Sequence, residues 1–154
     1  MNFFSQNKDF DYVSVGDITT DAFIRLKEAE VVHDEVRDKD KIVLAFGDKV
    51  PYESVEVLSA VGNSANAAVA ARRLGLSSSM VTNVGDDTNG AECTATLRKN
   101  GVDTSFIKVH KDKETNYHYV LWFKEDRTIL VKHQEYEYSF PDIGVPKWLY
   151  LSSI

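Results

Sequence analysis

The chain has 154 residues, near the commonest size of one domain and long enough to bury a core. Apolar residues at 43% and charged residues at 27% suit an ordinary globular protein, and no apolar run approaches the roughly 20 residues a membrane helix needs. A net charge of −6, with Lys and Arg scattered among acids, argues against nucleic acid as a partner.

At the start, Met1–Lys8 shows no basic leader followed by a long apolar stretch, so no signal peptide is expected and a cytoplasmic protein is the default. Tyr12-Val13-Ser14-Val15, ending at Gly16-Asp17, crowds apolar residues without a helical period and predicts a buried strand. Ala22–Leu26 continues as a second extended piece. The densely charged stretch from Lys27 to Lys41 reads as an exposed excursion. Ile42–Phe46 is a predicted strand with turn chemistry at Gly47-Asp48. From Pro51, Val55 and Val57 alternate with polar residues, the pattern of a sheet covered on one side.

The period then changes. Asn66–Leu74 is rich in strong helix formers, with Gly75 placed to end a helix. Met80–Val84 is a strand, and a second helix runs from Ala91 to Lys99, stopped by Asn100-Gly101. Thr104–Val109 is a short strand. Tyr117–Phe123 and Thr128–Lys132, joined by Lys124–Arg127, form a hairpin, and His118 and His133 read as strand residues. Lys147–Leu151 is a last strand with nothing after it, so the chain reads as cut short. Strand and helix alternate in the middle, with antiparallel pieces on either side. An open α/β sheet with a small β lid is the expected fold.

One cysteine, Cys93, excludes an internal disulfide, and it is expected to pack in the core. His33, His110, His118 and His133 show no metal-ligand spacing, so no metal site is expected. Val61-Gly62-Asn63-Ser64-Ala65-Asn66 lies at a strand-to-helix junction and fits two readings. Its polar side chains either cap the helix or hold a hydroxyl-rich ligand beside the outward amides. Asp17 and Asp21 follow the first strand, either as turn residues or where open α/β sheets bind ligands. Asp86-Asp87 read as acids at a helix start. No G-x-G-x-x-G follows the first strand, which excludes a dinucleotide fold.

Residues 61–75, followed by Val81-Thr82-Asn83-Val84-Gly85-Asp86-Asp87-Thr88-Asn89-Gly90, resemble the first signature of the ribokinase/PfkB carbohydrate kinases. Gly16–Asp21, Gly101–Thr104 and Arg127–Leu130 resemble that family's neighbouring segments, so the resemblance covers essentially the whole chain. It implies a ribokinase-like fold, with residues 1–154 as the N-terminal part of a kinase domain and lid strands in about 22–60 and 115–132. It also implies ATP-dependent phosphoryl transfer to a sugar, nucleoside or related hydroxyl compound. Carried over by position, Asp21 resembles the carboxylate that grips sugar hydroxyls, and Gly62, Asn63 and Asn66 resemble the substrate loop. Thr19 stands where ribokinases often have Asn, and Thr115 before the hairpin faces the substrate in this reading. Asn63 in place of Lys, and Val61 in place of a small residue, point away from ribose itself.

The family's second signature, Asp-Thr-x-Gly-Ala-Gly-Asp, is absent, and with it the anion hole and the general base. The expectation is a substrate-binding portion without catalytic residues, whose ATP and Mg2+ bind elsewhere in a full-length enzyme. The expected partners are a small sugar or nucleoside, with no nucleic acid and no membrane, and a second copy docked through the lid. The competing reading is a non-catalytic binding or assembly module, with Tyr119, Trp122 and Ile129 as its surface.

Overall fold

The computed structural model describes residues 9–153, so the reading of Met1–Lys8 lies outside the described residues. Two compact units emerge. One holds residues up to Thr20, Ser59–Asn116 and the chain from His133 onward; the other holds Asp21–Leu58 and Tyr117–Lys132.

The first unit is built on parallel strands β1 (Tyr12–Val15), β6 (Ser78–Gly85), β7 (Ile107–His110) and β10 (Trp148–Leu151), in the order β10-β1-β6-β7. Alternation along β6 sends Met80 and Val84 to one face and Val81 to the other. On the first face, Ala65 and Ala68 of α1 (Asn63–Arg73) and Cys93 and Leu97 of α2 (Thr88–Lys99) complete a core with Ile18, Met80 and Val84. On the second face, Val13, Val15 and Val81 pack with Phe10 and Ile143. Both helices begin earlier than their alanine-rich stretches alone suggest. Gly75 ends α1 in the left-handed region (φ 92), as its position predicts.

Cys93 is fully buried, with its sulfur 3.3 Å from the Ala60 amide and 3.5 Å from the Thr20 hydroxyl. Burial pushes its thiol pKa up, which keeps it protonated and unreactive. In the folded protein, alkylation of this thiol should run on the order of a hundredfold slower than after denaturation. Equal rates with a thiol-specific reagent would contradict the packing.

The second unit carries most of the sheet ordered β5-β2-β8-β9, from β2 (Thr19–Leu26), β5 (Tyr52–Val61), β8 (Tyr117–Phe123) and β9 (Asp126–Lys132). The expected hairpin is present, with Phe123 opposite Asp126 and Lys124 in the left-handed region (φ 55). The charged stretch is exposed, as expected, and within it the chain folds into a hairpin of β3 (Glu30–Asp34) and β4 (Lys39–Val43). Cross-strand pairs replace apolar alternation there: Asp34 meets Lys41, and His33 lies 3.0 Å from Asp40. The Asp34 carboxylate also accepts the Val36 and Arg37 amides, which closes the turn.

Other boundaries are corrected too. The strand expected at Ile42–Phe46 stops at Val43, and Phe46 stands in solvent. Thr104 lies in a turn whose carbonyl accepts the Ile107 amide, so β7 begins only there. His133 falls just beyond β9. Val55 and Val57 are 46% and 52% exposed, so the alternation along β5 does not give a buried face.

Candidate functional site

Three strands of the first unit end at one rim: β1 in Gly16-Asp17, β6 in Asp86-Asp87 and β10 in Ser152-Ser153. The chain leaves β1 through α1 to β6 on one side, while β10 pairs on the other side. The strand order therefore reverses at β1. In open α/β sheets a crevice opens at such a reversal, outside the carboxyl ends of the strands.

Gly16 allows this rim to close. A Cβ there would lie 2.3 Å from Ser64 Oγ and 2.9 Å from the Ser153 carbonyl. Ser64 in turn donates its hydroxyl to the Val15 carbonyl at 2.9 Å, tying the start of α1 to the end of β1. Gly62 sits just before α1 with φ 109, a conformation that favours glycine, and a Cβ there would meet the Asp17 carbonyl at 3.2 Å. The Gly62 turn and the Asp17 loop are thus in contact.

Of the two readings of the Gly62–Asn66 segment, side-chain capping is not realised. No side chain caps α1. Ser64 is committed to β1, while Asn63 and Asn66 are exposed and make no side-chain hydrogen bond among the described residues. Asp17 is mostly buried (side chain 17% exposed), with His133 Nδ1 at 3.8 Å from its carboxylate.

Asp21 belongs to the second unit, where its carboxylate lies 3.3 Å from His118 Nδ1, both side chains being mostly buried. Thr19 is buried, and its hydroxyl donates to the Asn116 carbonyl at 3.1 Å. Thr115 is 1% exposed, with a hydroxyl that donates to Asp87 Oδ1 at 2.6 Å and accepts the Gly85 amide at 3.0 Å. The threonine hydroxyls are therefore engaged inside the fold.

Asp87 caps α2 as its acidic character suggests, accepting the Gly90 amide at 2.9 Å and the Thr115 amide at 3.0 Å. Burial opposes its ionisation, but the bonds from Thr115 and Gly90 outweigh that and hold its carboxyl below the usual range. The Gly85-Asp86-Asp87 turn offers no cradle for a phosphate. A Cβ at Gly85 would lie 2.2 Å from the Lys113 carbonyl, so backbone already fills that space. Among the described residues no group of three or more His, Cys, Asp or Glu side chains could hold a metal ion.

Sequence reasoning placed Asn83 in a strand and said of His110 only that it has no metal-ligand spacing. Asn83 Oδ1 in fact lies 2.8 Å from His110 Nε2, across the β6–β7 pairing. No local spacing reveals a contact between residues 27 apart.

A family model described as pfkB family carbohydrate kinase matches residues 27–153. No curated protein matches the sequence significantly. Among solved structures, a microbiome-derived acarbose kinase is 19% identical, covering 88% of this chain and 40% of its own, with TM-score 0.66. The ribokinase of Arabidopsis thaliana complexed with ribose and ATP is 16% identical, covering 81% and 36%, with TM-score 0.64. The nucleoside kinase of Methanocaldococcus jannaschii is 16% identical, covering 80% and 37%, with TM-score 0.62. At such identities the likeness concerns the fold, and this chain spans well under half the length of each. No helix among the described residues is long and apolar enough to cross a membrane.

Proposed function

The chain belongs to the pfkB family of carbohydrate kinases, and from that premise we propose that it is the acceptor-binding portion of an ATP-dependent kinase. Its acceptor would be a hydroxyl of a sugar, nucleoside or related compound. The observation that carries this reading is the rim at Gly62: no side chain caps α1, and Asn63 and Asn66 stand exposed beside a strand end that carries Asp17. Groups that capping does not use are available to hydroxyls. In this reading Asp21 accepts hydrogen bonds from two sugar hydroxyls, and Gly62, Asn63 and Asn66 hold others. Thr19 and Thr115 shape the surroundings from within.

The second unit, with Asp21 and the β8–β9 hairpin, is in this reading the lid portion of the kinase domain. Exposed Trp122 and Ile129, on one face of the β8–β9 hairpin, support a second copy as a partner of that unit. ATP with magnesium supplies the transferred phosphoryl group. The turn at Gly85 is filled and takes no part in holding the nucleotide in this reading. What these residues contribute to rate is positioning of the attacking oxygen.

Calorimetric titration against pentoses, hexoses and nucleosides tests the proposal. One class should bind, and Asp21→Asn should weaken it about tenfold or more, the range for hydrogen bonds to a charged group. No ADP should be released from Mg-ATP. A folded sample that gives no heat across the whole panel would overturn the reading.

A further inference from the structure

The sheet face opposite the helices is covered by residues 133–147, which form no regular element, and beneath them lies a cavity of about 150 Å³. Val15 and Val81 form its buried floor, and Gly16, at the end of β1, also lines it. Tyr138 and Phe140, 50% and 60% exposed, are its aromatic walls. Asn83 is the amide side chain in this lining.

That amide is held in one orientation. His110 Nε2 donates to Asn83 Oδ1 at 2.8 Å, and the His110 ring lies 4.7 Å from that of Tyr136, whose hydroxyl donates to the Glu114 carbonyl at 2.8 Å. Burial and the nearby Lys108 lower the His110 pKa, consistent with a neutral ring. With Oδ1 engaged, Asn83 makes no other hydrogen bond among the described residues, so its Nδ2 leaves two N–H donors at a largely apolar cavity.

Flat aromatic walls take a planar ring by stacking, and fixed N–H donors require an acceptor on that ring. The volume holds one ring system and falls short of the roughly 300 Å³ at which whole-ligand pockets begin. Gly16 belongs to both this cavity and the rim that carries Asp17 and Gly62. We propose that the cavity is a subsite for a flat nitrogen heterocycle borne by the hydroxyl-carrying ligand. Asn83 donates to a ring acceptor atom, and His110 is its positioning residue. The identity of the rest of the ligand rests on the kinase reading above; the ring subsite does not.

The test uses the full chain with free adenine, ribose and adenosine as probes. Adenine should shift the NMR resonances of Asn83, Tyr138 and Phe140, and adenosine should bind about tenfold more tightly than ribose, the discrimination one well-placed polar group provides. Asn83→Asp, nearly isosteric and unable to donate, should abolish both effects. His110→Ala should weaken adenine binding, and His110→Gln, which restores a donor, should recover part of it. If ribose binds while adenine shifts none of these resonances, the subsite is wrong and the acceptor reading stands. Adenine binding that depends on Asn83, in a chain silent toward every pentose and hexose and binding adenosine no more tightly than adenine, keeps the subsite and removes the acceptor reading. Equal binding of ribose and adenosine, or an Asn83→Asp chain that keeps the tenfold ratio, overturns the subsite.

Discussion

Replacing Gly85 by alanine is expected to destabilise the first unit by about 3 kcal/mol, at the upper end for overpacking a filled site. The added Cβ would lie 2.2 Å from the Lys113 carbonyl oxygen and 2.6 Å from the Glu114 carbonyl carbon. Both are backbone atoms, so no rotamer change relieves the clash, and the segment before Thr115 must move. That movement pulls Thr115 away from the Gly85 amide it accepts and from Asp87. In urea the unfolding midpoint should fall by about 1.5 M with an unchanged slope, taking a slope near 2 kcal/mol per molar. Gly75→Ala makes the contrast, since no atom lies within 4 Å of a Cβ there and only its φ of 92 resists substitution. A Gly85→Ala chain that unfolds at the wild-type midpoint would mean the close approach of the Lys113 segment is not real.

Much of this packing was legible in the residues, for local reasons. Val-Gly-Asp-Asp before a helix announces a strand end and a cap, and Asp87 does cap α2. The alternation of strand and helix from Gly62 to Val109 suffices for an open α/β sheet, and the first unit contains one. What the residues left open is decided by tertiary partners. Lys27–Lys41 carries no apolar alternation, yet β3 and β4 pair through Asp34, Lys41, His33 and Asp40. Polar residues at Asn63–Asn66 looked like caps until Ser64 was found bonded to β1, 49 residues earlier. The need for glycine at position 16 has the same origin, because the neighbour that forbids a side chain there is Ser64. No window of sequence contains both partners of such a contact. The same holds for Asn83 and His110, whose pairing depends on the parallel register of β6 with β7.

The site inherits its rigidity from this arrangement. Gly62 touches the Asp17 carbonyl, Ser64 grips Val15, and the Asp17 amide donates to the Ser153 carbonyl at 2.9 Å. The backbone of this rim is therefore fixed, while the exposed Asn63 and Asn66 side chains are left to be ordered by whatever binds there.

Asp87→Ala should cost about 2–4 kcal/mol and alter the acid limb of stability. The helix loses its cap, worth about 1 kcal/mol, and Thr115 loses the acceptor for its hydroxyl and its amide. Thr115 is 1% exposed, so water cannot take over these bonds without opening the segment. The folded Asp87 carboxyl titrates below its unfolded value of about 3.9. Its stabilisation is therefore complete at neutral pH, begins to fade as pH falls toward about 4, and is lost as pH drops through the folded value. Asp11, held low chiefly by Lys147 and by Ser77, acts in the same direction. Asp87→Asn should therefore flatten the fall in stability below about pH 4 in part, and Asp87→Asn with Asp11→Asn should flatten it further. Urea midpoints measured from pH 7 down to pH 3 decide the matter. Parallel curves for wild type and Asp87→Asn would show that the carboxylate does not hold Thr115 in the folded chain.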